Sequence, residues 1–238
     1  MEVRVLMFER WHTYETAPAL ERAENQIWRT LSEAERRSKV LIGVIDDSPF
    51  QYKQNLENTG YRVSFLGDPN SVQAVRDSHI VLCDLQGVGL ALDPRKQGAF
   101  FIDEIRKNFP EKYVIAYTGG GLNLNISRDA LRSADFFMRK DANIDEWRDK
   151  LDEIITRLLD PSQVWQRQRL ALVNRGVDSL SILKIESAFV RSIRNRQRIE
   201  DSDFARILNS GSISGDVRAV VQSMVASGLY ALLTGTPS

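Results

Sequence analysis

The sequence predicts an α/β fold: a doubly wound, five-stranded parallel sheet over residues 39–160, with an N-terminal strand/helix extension at 1–38 and a C-terminal all-helical domain at 161–238. Three observations lead there. Between Lys39 and Asp160, short apolar runs alternate with amphipathic stretches of helical period, the pattern of strand–helix–strand units. The break Asp160-Pro161-Ser162 ends that pattern, since Pro161 biases Asp160 away from helical geometry and Ser162 reads as the N-cap of the next helix. With 238 residues, 42% apolar and 27% charged, the chain has the composition of a globular protein rather than of a collagenous, disulfide-rich, membrane-embedded or disordered one.

In chain order, Val3, Val5 and Met7 alternate with Arg4, Leu6 and Phe8, which gives a short strand with no polar face. Residues 17–37 form the next element, one helix, with Leu20, Ala23, Ile27, Leu31 and Ala34 on a narrow stripe of coiled-coil width. The sheet strands read as Val40–Ile45, Tyr61–Leu66, Ile80–Cys83, Tyr113–Tyr117 and Phe136–Met138. Helices are expected at 50–58, 71–77, 98–108, 128–133 and 144–159. Five strands and five helices in about 120 residues fit a flavodoxin-like domain, in which ligands collect at the C-terminal ends of the strands. The remainder reads as four helices, at 163–175, 179–197, 203–209 and 215–233. The second pairs an apolar stripe (Ile182, Ile185, Phe189, Ile193) with a basic side (Lys184, Arg191, Arg194, Arg198).

Composition also narrows the chemistry. A single cysteine, Cys83, excludes an intramolecular disulfide, and with only His12 and His79 beside it a conventional zinc site is excluded as well. Cys83, on a buried strand, is assigned no role. Nothing at the N-terminus has the form of a secretory signal, and the apolar run 219–233 is short for a membrane span, so a cytoplasmic setting is expected. Charge is balanced overall, yet 161–238 holds ten basic against six acidic residues. The glycines at 119–121 lack the Lys-Ser/Thr of a nucleotide-binding loop.

The informative feature is the placement of polar residues relative to the strands. Asp46 and Asp47 come directly after the first, Asp84 ends the third, Thr118 the fourth and Lys140 the fifth. In a parallel sheet these ends share one edge, so three carboxylates, a hydroxyl and an ammonium converge where such folds bind ligands. Three clustered carboxylates repel one another and need a compensating cation; all-oxygen ligation with room for water suits Mg²⁺. A carboxylate left free can then attack phosphorus, with the lysine and threonine at the phosphoryl oxygens.

These residues, DD after strand one, D after strand three, T after strand four and K after strand five, make residues 39–160 resemble the receiver domain of two-component response regulators. The resemblance implies that Asp84 is the phosphoacceptor and that Asp46, Asp47 and Asp84 bind Mg²⁺ together with the backbone carbonyl of Gln86, Asp47 being favoured over Asp46 as a direct ligand. It implies further that Thr118 and Phe137 form a switch pair and that Lys140 contacts the phosphoryl group. The sequence departs from the family pattern in the long segment DLQGVGLALDPRKQGAFF, which lacks Met-Pro and has a late Gly98, and in Asp141, where a proline is common.

The expected function is a response regulator that takes a phosphoryl group onto Asp84 from a histidine kinase or phosphotransfer protein, and signals through its flanking helices by protein–protein contacts. It is not expected to be a turnover enzyme. A DNA-binding transcriptional regulator using the basic helices, and a phosphorylation-independent scaffold, are the alternatives; nucleic acid is not the favoured partner and no membrane is expected. The stripe from Leu20 to Ala34 and the run 219–233 lead to the expectation of a homodimer.

Overall fold

The computed structural model describes residues 2–7, 10–21, 30–119, 130, 132–197, 203, 206–207, 215–226 and 229–234. They divide into two compact units, one of Ser32–Thr156 and one of Met1–Leu31 with Arg157–Ser238. The division differs from the expected boundaries at 38 and 160, because the N-terminal segment groups with the C-terminal helices rather than standing alone.

The Ser32–Thr156 unit holds the parallel sheet. Its strands are numbered after an N-terminal pair, β1 (Glu2–Met7) and β2 (Arg10–Glu15), of the other unit: β3 (Leu41–Ile45), β4 (Arg62–Gly67), β5 (Ile80–Asp84), β6 (Tyr113–Thr118) and β7 (Phe136–Arg139). All neighbours are parallel, in the order β4-β3-β5-β6-β7, so the chain winds outward in both directions from the boundary between β3 and β5. Each expected strand is present, within a residue or two at its ends. β5 and β6 are buried at every position, since both lie inside the sheet and are covered on both faces.

After a first short helix, α1 (Pro18–Glu21), helix α2 (Glu33–Lys39) enters the sheet. The single helix expected over 17–37 is interrupted at Leu31–Ser32. Ser32 is an N-cap, its hydroxyl accepting from Glu35 N while the Glu35 carboxylate accepts from Ser32 N, a reciprocal box that starts a new helix. Ala34 of the expected stripe is exposed, and Ala23 and Ile27 lie outside the described residues. Arg37 fastens α2 to the sheet unit: its guanidinium donates to Asp152, which also accepts from the Tyr61 hydroxyl at 2.8 Å.

The other helices of this unit are α3 (Lys53–Glu57), shorter than expected, a 3-10 turn at Val72–Val75 in place of the second helix, α4 (Gly98–Asn108) and α5 (Ile144–Leu159), within which the division between units falls. Of the expected helix at 128–133, residues 130, 132 and 133 are helical, and 128, 129 and 131 lie outside the described residues. Val81, Cys83, Val114 and Ala116 from the sheet pack with Phe101, Ile102 and Ile105 of α4 as one continuous apolar cluster.

In the second unit, β1 and β2 form an antiparallel hairpin, Glu2 facing Glu15 and Met7 facing Arg10. The reading of a single strand missed β2, whose sequence RWHTYE carries few apolar residues. Its helices are α1, α6 (Pro161–Asn174), α7 (Ser179–Arg194), α8 (Gly215–Ala226) and α9 (Leu229–Thr234). Asp160, not Ser162, caps α6: its carboxylate accepts from Ser162 N at 2.9 Å, with Pro161 at the first helical position where its missing N–H is harmless. The expected single helix 215–233 is two, α8 and α9. Val217, Val220, Val221, Tyr230 and Leu233 are buried within their own chain, as is Leu20, so these residues need no second copy to cover them. Trp165 and Phe189 stack at 5.6 Å in this core. The hairpin is tied to α7 through Glu15 N to Ser187 Oγ and, just beyond β2, Ala17 N to the buried Glu186 carboxylate at 2.7 Å. On the basic side of α7, Arg191 pairs with Asp203 and Arg194 with Glu15; Arg198 lies outside the described residues. Among the described residues no helix is long and apolar enough to cross a membrane.

Candidate functional site

The C-terminal ends of β3, β5, β6 and β7 bring Asp46, Asp47, Asp84, Thr118 and Lys140 to one edge of the sheet. A carboxylate oxygen from each of Asp46, Asp47 and Asp84 lies within 4.8 Å of the others. Lys140, one residue beyond β7, is aimed inward by two backbone ties: its N–H donates to Thr118 O at 2.8 Å and its carbonyl accepts from Gln51 Nε2 at 2.8 Å. Its ammonium bridges two of the acids, 2.7 Å from Asp84 Oδ2 and 3.0 Å from Asp46 Oδ2.

The three acids sit in unlike surroundings. Asp46 is fully buried. Its Oδ1 accepts from Ser48 N at 2.8 Å and its Oδ2 from the Tyr117 hydroxyl at 2.6 Å. Burial pushes the Asp46 carboxyl up, but the Tyr117 hydroxyl, the Ser48 amide and Lys140 outweigh it and hold the group below the usual carboxylate range. Asp84, 4% exposed, goes the other way: burial dominates and raises it, against the opposing pull of Lys140 and of Gln86 N, which donates to Asp84 Oδ1 at 3.2 Å. Burial pulls the Lys140 ammonium down, yet its hydrogen bonds to Asp84 and Asp46 keep it above its ordinary value, so it remains the resident counter-charge. Asp47 is exposed and accepts only from the Ser48 hydroxyl, at 3.2 Å, among the described residues.

Thr118 is 6% exposed and its hydroxyl has no hydrogen-bond partner among the described residues. A buried hydroxyl without a partner is costly, and a group that accepted from it would remove that cost. Phe137, partly buried, packs against the apolar cluster that contains Ala116 and Ala130. On either side of Lys140, exposed Arg139 and Asp141 form an ion pair, and no peptide bond among the described residues is cis.

Three features escaped the sequence reading. Tyr117 is buried in an aromatic cage with Phe50 (5.9 Å) and Trp147 (5.6 Å), and its hydroxyl reaches Asp46; the signal was a tyrosine in an otherwise apolar strand, whose hydroxyl must find a partner when buried. Gly98 begins α4 so close to β5 that a Cβ there would stand 1.9 Å from Asp84 O. Gln97 bonds back to Gly87, a contact no local pattern announces. Of the residues set aside, Cys83 is buried, and burial raises its thiol well above the ordinary value, which leaves it inert. His79 is buried with Nδ1 accepting from Leu41 N; the side chain of His12 lies outside the described residues.

No family model and no curated protein matches the chain. Among solved structures it is similar to a CheY-like response regulator receiver domain protein from Methanospirillum hungatei JF-1, at 23% identity over 49% of this chain and 94% of the other, with a TM-score of 0.42. It is likewise similar to the signal receiver domain of a putative Luxo repressor protein from Vibrio parahaemolyticus (19%, 50% and 91%, 0.41) and to the response regulator TrrA from Thermotoga maritima in complex with Mg²⁺-BeF (21%, 48% and 98%, 0.38). The chain's own strand order, β4-β3-β5-β6-β7, is that of a flavodoxin-like doubly wound sheet, with a three-carboxylate cluster at one edge.

Proposed function

We propose that the chain is a response regulator in which Asp84 accepts a phosphoryl group from the phosphohistidine of a histidine kinase or phosphotransfer protein. The observation that carries this reading is Lys140 Nζ held between Asp84 and Asp46, with the Lys140 amide bonded to the carbonyl of Thr118 at the end of β6. An Asp84 carboxylate oxygen forms the new O–P bond as the donor's N–P bond breaks, and the donor imidazole leaves with the bonding pair and takes up a proton. Lys140 then moves its charge from the carboxylates to the transferred phosphoryl oxygens, and the Thr118 hydroxyl donates to one of them.

The donor set fits Mg²⁺: every candidate ligand is an oxygen, the exposed Asp47 carboxylate supplies an unengaged arm, and the missing Cβ of Gly87, which would fall 2.5 Å from Asp47 Oδ2, leaves the backbone close to that carboxylate. Asp47, Asp84, Asp46 and the Gln86 carbonyl would hold the ion. When bound it neutralises charge that builds up on the phosphoryl oxygens. Drawing Thr118 toward the phosphoryl group lets Phe137 turn inward, which alters the surface from Thr118 to Met138. The helical segments convey that change by protein–protein contacts. Arg191 and Arg194 are each engaged by an acidic residue of their own chain, which supports this over nucleic-acid binding by α7. With Leu20, Val220, Val221 and Leu233 buried within their own chain, the homodimer expected on the stripe from Leu20 to Ala34 and the run 219–233 is proposed instead on exposed Leu170 and Val173 of α6.

Incubation of the full chain with acetyl phosphate and Mg²⁺ should give an acid-stable, base-labile adduct that is lost in Asp84→Asn. An adduct that survives the substitution moves the site elsewhere, and none under any donor favours the phosphorylation-independent scaffold.

A further inference from the structure

The segment between Asp84 and α4 departs furthest from the family pattern, and its backbone holds an unusual residue. Gln97 has φ 52° and ψ −130°, a region that glycine enters freely and other residues avoid. The cause is local. α4 must begin on Gly98, whose Cα stands against Asp84 O with no room for a side chain, while Asp93 O accepts from Gln97 N at 2.8 Å. A chain fixed on both sides in this way turns sharply at residue 97. Glycine would make the turn without strain, yet the position holds glutamine, and its side chain makes one specific contact: Oε1 accepts from Gly87 N at 3.1 Å.

That contact bears on the site. The peptide joining Gln86 to Gly87 is trans, so its C=O points opposite to its N–H. With the Gly87 N–H held by Gln97, the Gln86 carbonyl is turned to the other side of the peptide. The preceding amide, Gln86 N, is held by Asp84 Oδ1 at 3.2 Å. Gly87 itself has φ +84°, with the site of its absent Cβ against Asp47. The two peptides that flank Gln86 are thus pinned between Asp84 and Gln97, beside Asp47.

We propose that Gln97 is a positioning residue for the cation site: its side-chain carbonyl, held in place by a left-handed backbone turn, fixes the Gln86–Gly87 peptide so that the Gln86 carbonyl is presented as a neutral ligand beside Asp47 and Asp84. The proposal rests on the assignment of Mg²⁺ to that acidic cluster. Ligand-orienting partners of this kind alter metal affinity when removed, by about tenfold or more.

The test uses the full chain with Mg²⁺ alone as probe, its affinity measured by calorimetric titration and its stability by thermal unfolding in EDTA. Gln97→Gly relieves the backbone and deletes the contact, so Mg²⁺ affinity should fall by about tenfold while the unfolding temperature is unchanged or higher. Gln97→Glu keeps an acceptor and should bind at least as tightly as the parent. Opposite movement of affinity and stability in Gln97→Gly is the signature that a merely structural role would not produce. Parent-like affinity in Gln97→Gly, or loss of affinity in step with stability, overturns the proposal. Asp47→Asn separates the two levels: if the parent binds no Mg²⁺, or Asp47→Asn binds as well as the parent, the Mg²⁺ assignment itself fails, whereas loss in Asp47→Asn with none in Gln97→Gly removes only the role of Gln97.

Discussion

Replacing Tyr117 by phenylalanine removes one oxygen and leaves the ring in its cage against Phe50 and Trp147. Asp46, fully buried, then loses its 2.6 Å donor but keeps Lys140 and the Ser48 amide. A hydrogen bond to a buried charged group contributes about 1.5–3 kcal/mol, and with two donors remaining we take about 2 kcal/mol as the loss. For a chain of this size that lowers the unfolding temperature by about 4–8 °C. The effect depends on pH in a defined direction. Because the Asp46 carboxyl is held below its unfolded value, the stability it contributes is present above the unfolded pKa, about 3.9, and is lost as pH falls through the lower folded pKa. The Tyr117 hydroxyl acts on the ionised form, so the gap between parent and Tyr117→Phe should be full at pH 7 and close in strongly acidic buffer. Thermal unfolding in EDTA across that range measures it. Equal unfolding temperatures at pH 7, or a gap that stays constant as Asp46 protonates, would refute the assignment of Tyr117 as a partner of the charge.

Two further outcomes are expected. Asp47→Asn should abolish Mg²⁺ binding by calorimetry yet unfold at or above the parent temperature in EDTA, because an exposed carboxylate within 4.8 Å of two others adds repulsion and little structure; a variant that loses stability would show that Asp47 supports the fold. Leu170→Glu, at a position 61% exposed, should leave the unfolding temperature within about 1 °C while converting a dimer to a monomer by light scattering; a parent chain that is monomeric, with and without a phosphate mimic, removes the proposed homodimer.

The sheet was legible because its evidence is local. Apolar runs such as KVLIGVI and HIVLC, spaced by amphipathic stretches, fix strand positions, and a parallel sheet then places every strand's C-terminal end on one edge. Asp46, Asp84, Thr118 and Lys140 could therefore be assembled on paper from positions far apart in the chain. Where periodicity was absent the reading failed: β2 has too few apolar residues to be seen as a strand, and the stripe from Leu20 to Ala34 crosses a helix start at Ser32, where a capping box outweighs the continuing apolar spacing. Tertiary structure alone decided what each site residue does electrostatically. Asp46 and Asp47 are chain neighbours, yet one is buried under Tyr117 and Lys140 and the other faces solvent, a difference set by strand pairing and by partners more than seventy residues away. The same holds for Gln97, whose bond to Gly87 exists because α4 is pressed onto Asp84 O. Sequence determined which residues reach the sheet edge, because the period of consecutive side chains dictates it; the hydrogen bonds that set their charge and aim depend on side chains brought together only when the sheet and helices pack.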